Sequence, residues 1–327
     1  MLIVIPEKSG GKMITYYGVD INNKGGVSRY AYDLHNNVPD NRYITIRSHE
    51  VIKNNKRHFG LLSNVINQFE NIKSDVIHSI SAVNFYYKSN VATIHDLYFN
   101  NKSYKTTIMI FWLPAIMKWK IGRLKIIVPS ELVLRQFIEL YGSTKNVYVV
   151  HHGIDFDYLD SLKLYNPFET KNNIVIPGGV DFRRRNQRIL LDKLKDADYN
   201  VYVVGYGFMD VLKDEYRDYN NLHFYKNVSD KDFYSYLKYS DLNLYNTVGE
   251  GFGYIIYESL YLGKKMLVND NPDNKLLFDN YATYYNMNNL MDTIKEQFSK
   301  TPDYKNDLLK NYSIKNMVEK TLKVYNI

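Results

Sequence analysis

Short apolar runs alternate with segments of helical period along most of the chain. In the first half, LIVI (2–5), YITI (43–46), DVIHSI (75–80), VATIH (91–95), KIIV (125–128) and VYVV (147–150) predict strands. Between them, GGVSRYAYDLHN and ELVLRQFIELYG carry the three-and-four spacing of amphipathic helices, and Pro129 and Glu131 flank Ser130 as a helix start. The pattern pauses over the polar stretch 157–173, punctuated by Pro167. It resumes with NIVIPGG (173–179), VYVVGYG (201–207), LHFY (222–225), LNLY (242–245) and KMLV (265–268). Such alternation predicts α/β units on mostly parallel sheets, in two halves that join near residue 165.

Length agrees, because 327 residues exceed the roughly 250–300 at which a single core stops growing. The formal charge of +7 suits an anionic ligand, although a solvated basic surface explains it equally. Basic residues are scattered except for Arg183-Arg184-Arg185, and no nucleic-acid motif accompanies them, so nucleic acid is not an expected partner. The absence of cysteine excludes disulfides, thiolate metal sites and cysteine nucleophiles. The start, MLIVIPEKSGGK, has too short an apolar part and no basic leader, so it reads as a strand rather than a signal peptide. The longest apolar segment, 108–117, contains Pro114 and falls short of the roughly 20 residues of a membrane span. It is read as a helix buried in the first domain, with docking of 108–121 on a membrane as the alternative. A cytoplasmic location is expected, and peripheral membrane contact is not. The 32 tyrosines, with abundant Asn, Lys and Ile, are read as codon bias.

Ligands of open α/β sheets bind beyond the carboxyl ends of the strands. Gly25-Gly26, His95-Asp96, His151-His152-Gly153, Gly178-Gly179, Gly205, Asn227 and Glu250 stand there. In NTVGEGFGYIIYES (246–259), Gly251 and Gly253 open a helix expected to begin near Gly251 or Phe252, whose free N–H groups and dipole suit a diphosphate. Glu250 precedes that helix, and Glu258 lies about 12 Å further along its axis. Carboxylates accept from neighbouring hydroxyls, so this pair is expected to grip sugars on either side of the phosphates. The alternative is a helix capped by one acidic residue and carrying a second in solvent. GGVDFRRRNQRILL (178–191) places three arginines at the start of another helix, where they fork onto phosphate or simply face water. NKGGVSRYAYDL (23–34) has neither P-loop nor dinucleotide spacing, and GYG (205–207) reads as a plain strand-to-helix turn. His95-Asp96 lacks a serine elbow for a triad, and the adjacent His151 and His152 point to opposite faces of a strand, so no metal site is expected.

Taken in order, GGV (25–27), HD (95–96), VPSE (128–131), HHGID (151–155), RRRN (183–186) and EGFG (250–253), with a second glutamate at Glu258, resemble the retaining GT-B glycosyltransferases of family 4. The likeness runs over nearly the whole chain, including the tail 312–327. It implies an α/β GT-B fold of two Rossmann-like, doubly wound domains facing a central cleft. The N-terminal, acceptor-side domain would span 1–165 and the nucleotide-sugar domain 166–311, with a terminal helix over 312–327 crossing back toward the first.

The implied activity is transfer of a sugar, with retention, from a nucleoside-diphosphate sugar to a hydroxyl acceptor on a glycan, glycolipid or glycoprotein. No cofactor and no essential divalent metal are implied. Glu250, Arg185 and His95 would take the catalytic positions. Gly25, Gly26, Arg184, Gly251, Phe252, Gly253, Glu258, Asn227 and Val228 would hold the donor. Acceptor contacts would come from the loops 6–24 and 97–107. The chain departs from the family pattern at Val180, where an arginine is usual, and at Lys226, where a glycine is usual. A nucleotide-sugar epimerase, a sugar phosphorylase and a non-catalytic binding scaffold are the alternative readings.

Overall fold

The computed structural model describes residues 12–22, 25–45, 50–53, 56–59, 71–81, 85–97, 122–298 and 303–327. The strand expected at 2–5 and the apolar segment 108–117 lie outside them, as does most of the loop 97–107. The chain forms two compact units, one of residues 1–153 with 314–327 and one of residues 154–313.

In the first unit the elements are β1 (Ile14–Gly18), α1 (Gly26–Asn37), β2 (Asn41–Thr45), β3 (Glu50–Lys53), β4 (Lys56–Phe59), β5 (Val76–Ser79), β6 (Val91–Thr93), β7 (Lys125–Val128), α2 (Glu131–Tyr141) and β8 (Val147–Val149). Six strands form a parallel sheet in the order β2-β1-β5-β6-β7-β8, while β3 and β4 pair as an antiparallel hairpin. Helix α2 starts as its sequence predicts, with the Ser130 hydroxyl accepting from the Val133 N–H. Strand β1 is a correction, because it occupies a stretch read above as loop. All five of its residues are buried. Its sequence, ITYYG, hides the strand because tyrosine and threonine register as polar although they pack here as core. Thr15 meets its polar demand through Ser74 Oγ at 2.6 Å and the Arg42 Nε–H at 2.8 Å.

The terminal helix, Ile314–Tyr325, belongs to this first unit. Met317, Val318, Val324 and Tyr325 join Tyr30, Ala31 and Leu34 of α1 in one core cluster. Lys125 and Lys12 donate to the carbonyls of Val324 and Asn326, placing cations on the negative end of that helix.

The second unit contains α3 (Phe156–Ser161), β9 (Asn173–Pro177), α4 (Gln187–Leu194), β10 (Asn200–Gly205), α5 (Met209–Glu215), β11 (Leu222–Lys226), α6 (Asp230–Tyr239), β12 (Leu242–Tyr245), α7 (Tyr254–Tyr261), β13 (Met266–Asn269), α8 (Pro272–Phe278), β14 (Ala282–Tyr285), α9 (Leu290–Gln297) and α10 (Lys305–Tyr312). Its parallel sheet runs β11-β10-β9-β12-β13-β14, the doubly wound order in which the direction of winding reverses between β9 and β12. The second unit begins at Ile154, ahead of the join expected near residue 165. Segment α3 is tied into it by Tyr158, whose hydroxyl donates to Asp230 at 2.9 Å, and by Asp160, which accepts from Tyr261 at 2.7 Å. The two units are thus Rossmann-like α/β domains. Their cores are separate clusters, centred in the second on Ile174, Ile176, Leu190, Leu191, Val203 and Leu244.

Candidate active site

The reversal between β9 and β12 leaves two loops side by side, 178–186 after β9 and 246–253 after β12, where an open sheet binds its ligand. Backbone and side-chain bonds stitch them together. The Val248 N–H donates to the Arg184 carbonyl at 2.9 Å, Asn246 Nδ2 to the Arg185 carbonyl at 2.6 Å, and Arg184 Nη2 to the Gly249 carbonyl at 2.5 Å. Asn269 accepts from the Thr247 N–H at 2.8 Å, anchoring the second loop to β13. Glycine is required at position 178, where φ is +99° and an added Cβ would lie 2.2 Å from Arg185 Nη1.

Glu250 is the centre of this arrangement. Its Oε1 accepts from Arg185 Nη2 at 3.3 Å, the Tyr245 hydroxyl at 3.0 Å and the Thr247 hydroxyl at 3.1 Å. Among the described residues no donor reaches Oε2, which leaves one carboxylate oxygen oriented by its twin and free to accept from a ligand. Burial pushes the Glu250 carboxyl up, but Arg185, Arg184, Tyr245 and Thr247 together outweigh it and hold the group below the usual carboxylate value. The acid is therefore ionised at neutral pH. The Arg185 guanidinium lies over the Tyr245 ring, 5.0 Å from its centroid, and points Nη1 at the Gly179 carbonyl at 3.4 Å. Arg185 and Glu250 are thus an ion pair on the floor of the site, with side chains 17% and 13% exposed.

Helix α7 begins at Tyr254, later than the expected Gly251 or Phe252, with Gly253 at φ +84° as its N-cap residue. The delay reflects the glycines themselves, which hold 249–253 as a turn. Phe252 is buried on Tyr257, ring centroids 5.0 Å apart, so its side chain anchors the turn. Glu258 lies within α7 and is 2% exposed, so it is no solvated helix residue. Its Oε1 accepts from the Tyr234 hydroxyl of α6 at 3.0 Å. Asn227 follows β11 with φ +56°, and its N–H donates to the Gly205 carbonyl at 2.7 Å; Val228 is next to it. Glu250, Arg184, Arg185 and Gly251–Gly253 are therefore brought together at the switch point, with Glu258 behind them and Asn227 and Val228 at the β11 end of the same sheet.

Gly25, Gly26 and His95 belong to the first unit. Gly25 is the N-cap residue of α1, with φ 154°. His95 has both ring nitrogens engaged. Nε2 donates to the Ile80 carbonyl at 2.8 Å, so Nδ1 is the acceptor facing His152 Nε2 at 3.0 Å. Burial lowers the His95 pKa to about 4, against a partial lift from Ile80, so the imidazole is neutral. His151 turns elsewhere, its Nδ1 donating to the Pro129 carbonyl at 2.9 Å. Among the described residues no group of three or more His, Asp or Glu side chains is placed to hold a metal ion.

Comparison with known proteins decides the family. The Glycosyltransferase Family 4 model matches residues 27–158, and the Glycosyl transferases group 1 model matches residues 165–306. The chain belongs to the family 4 glycosyltransferases. No curated protein matches this glycosyltransferase by sequence. Solved structures share its GT-B fold. Sucrose-phosphate synthase from Thermosynechococcus elongatus is 14% identical with a TM-score of 0.66, over 96% of this chain and 95% of that one. The lipopolysaccharide outer core galactosyltransferase WaaB, apo form, is 12% identical with a TM-score of 0.65, over 95% and 98%. A S. aureus TarM variant is 14% identical with a TM-score of 0.58 over 81% of this chain, which spans 58% of the TarM chain. Among its described residues the glycosyltransferase has no helix long and apolar enough to cross a membrane.

Sequence reasoning missed the hydroxyls that tune the glycosyltransferase's Glu250. Tyr245 ends β12, just before the quoted stretch 246–259, and Thr247 lies within it, so donors stood near the acid in sequence. Tyr234, the donor to Glu258, stands 24 residues before it on a different helix and gave no signal along the chain.

Proposed function

We propose that this glycosyltransferase moves a sugar from a nucleoside-diphosphate sugar to a hydroxyl acceptor, with retention and without an essential divalent metal. The observation that carries the reading is Glu250: three donors converge on Oε1, and among the described residues none reaches Oε2. A carboxylate so fixed orients a sugar through its hydroxyls and reduces the entropic part of the barrier. As the glycosidic bond breaks, negative charge gathers on the departing diphosphate. Arg185, Arg184 and the amides of Gly251–Gly253 stabilise that charge where it develops, the task a divalent ion performs in other sites. Glu258 takes the ribose hydroxyls. The S. aureus TarM variant named above was crystallised with Fondaparinux, alpha-GlcNAc-glycerol and UDP, which supports a nucleotide donor and a glycan or hydroxyl acceptor here.

Transfer is followed with labelled donors and a panel of glycan and glycolipid acceptors, and the product anomer is read by NMR. Glu250→Gln, which keeps shape and hydrogen bonding, is expected to lower turnover by roughly 100-fold or more. Activity is expected to persist in EDTA. Wild-type turnover in Glu250→Gln would remove that residue from the site, and inactivation by EDTA would overturn the metal-free mechanism.

A further inference from the structure

The site described so far accounts for a sugar, a diphosphate and a ribose, but not for the base. Direction can be read from the tether on Glu258. Its partner Tyr234 lies on α6, which follows β11, so the ribose end of the site is the end toward β10 and β11. The residues beyond those two strands are held together. Gly205 and Lys226 are register partners, and the Asn227 N–H donates to the Gly205 carbonyl at 2.7 Å. Tyr206, next after Gly205, is therefore a neighbour of Asn227. Its own backbone is fixed too, because the Val180 N–H donates to the Tyr206 carbonyl at 2.7 Å.

Tyr206 stands out by its exposure. It is 57% exposed, yet its ring lies across Gly179, where an added Cβ would come within 2.7 Å of it. Phe208, equally exposed, already stacks on Phe182 at 5.6 Å, and Arg188 covers that phenyl ring at 3.8 Å. Among the described residues Tyr206 stacks on no other ring. It is thus an aromatic face presented to solvent, with its own carbonyl bonded to Val180 and the preceding Gly205 bonded to Asn227. Resting on the donor reading given above, we propose that Tyr206 is the platform on which the nucleobase of the donor stacks. The nucleotide runs from Arg185 through Glu258 to Tyr206, and Asn227 stands at the edge of the base.

Calorimetric titration of the full chain tests this with two kinds of probe, the nucleoside diphosphates UDP, GDP and ADP and the baseless anion pyrophosphate. Truncation of a base–aromatic stack costs roughly 5- to 150-fold in affinity. Tyr206→Ala is expected to weaken the preferred nucleoside diphosphate within that range while leaving pyrophosphate unchanged. Tyr206→Phe, which keeps the ring, is expected to bind as wild type, and an unchanged melting temperature in both variants checks the fold. Equal loss of nucleotide and pyrophosphate in Tyr206→Ala, or no loss of either, would overturn the stacking role while leaving the donor site standing. Failure of the wild type to bind any of the three nucleotides would instead remove the donor reading, and the platform with it.

Discussion

Gly178 shows how closely the site is packed around its charges. With φ +99° and Arg185 Nη1 occupying the direction of a side chain, Gly178→Ala must displace the guanidinium and strain the backbone, at a cost on the order of 1–3 kcal/mol. Both a lower melting temperature and weaker nucleoside-diphosphate binding are expected; retained affinity would show that Arg185 does not touch the phosphates. A second residue-scale prediction concerns His78, which is fully buried between the Tyr325 hydroxyl at 2.6 Å and Thr93 Oγ1 at 2.7 Å. Burial, with His95 nearby, lowers its pKa from 6.5 to about 3. The unfolded chain therefore takes up a proton that the folded chain refuses. This contribution to stability is complete above pH 6.5 and is lost as pH falls toward about 3. Urea melts between about pH 7.5 and pH 4.5 should show a steady fall that His78→Gln makes shallower, with buried His95 supplying part of the rest, and an unchanged slope in His78→Gln would contradict the assignment. At this scale the sequence was legible where chemistry is local, as in Glu250, Arg185 and Gly251–Gly253. It was opaque where a partner comes from another strand or helix, as Tyr234 and His152 do.

Elements were legible when their apolar residues were aliphatic. KIIV and LNLY coincide with β7 and β12, and the Ser130 start of α2 has its expected cap. Of the strands that escaped reading, ITYYG and ATYY are built largely from tyrosine and threonine. Tyr16, Tyr17 and Tyr285 are nevertheless among the largest fully buried side chains, so tyrosines attributed to codon bias serve as core. Hydropathy misses them because the ring packs while the hydroxyl finds a partner or is tolerated at the edge of the core. The same use of tyrosine links α6 to α7 through Tyr234 and Glu258. Tyr234→Phe removes only that hydroxyl and should weaken nucleoside-diphosphate binding several-fold, roughly 1 kcal/mol for one hydrogen bond. The loss should shrink for the 2′-deoxy nucleotide, and an equal loss for both would show that the tether does not serve the ribose.

For the whole molecule, alternation of strands and helices sufficed to predict two α/β domains, and the order of soft motifs sufficed to indicate GT-B. The second compact unit starts at Ile154, inside what reads as a polar linker, because α3 is pinned to α6 and α7 by Tyr158 and Asp160. The terminal helix is a structural part of the first unit, with Met317, Val318, Val324 and Tyr325 at 1%, 8%, 4% and 3% exposure. Burial of such side chains is worth roughly 1.5–3 kcal/mol each, so four approach the roughly 5–15 kcal/mol that hold a domain folded. Deleting 314–327 should abolish the cooperative unfolding of the first unit in calorimetry; two intact transitions would show the helix to be dispensable.

In the function proposed here, a nucleotide-sugar lies at the β9/β12 switch point, its sugar oriented by Glu250 and its diphosphate held by Arg185 and the glycine turn. A crystal structure with the tightest-binding nucleoside diphosphate tests it most directly. Phosphate oxygens are expected within hydrogen-bonding distance of Arg185 and of the amides of Gly251–Gly253. Density for the nucleotide at any other place in the molecule, with the Arg185–Glu250 pair undisturbed and untouched by ligand, would contradict it.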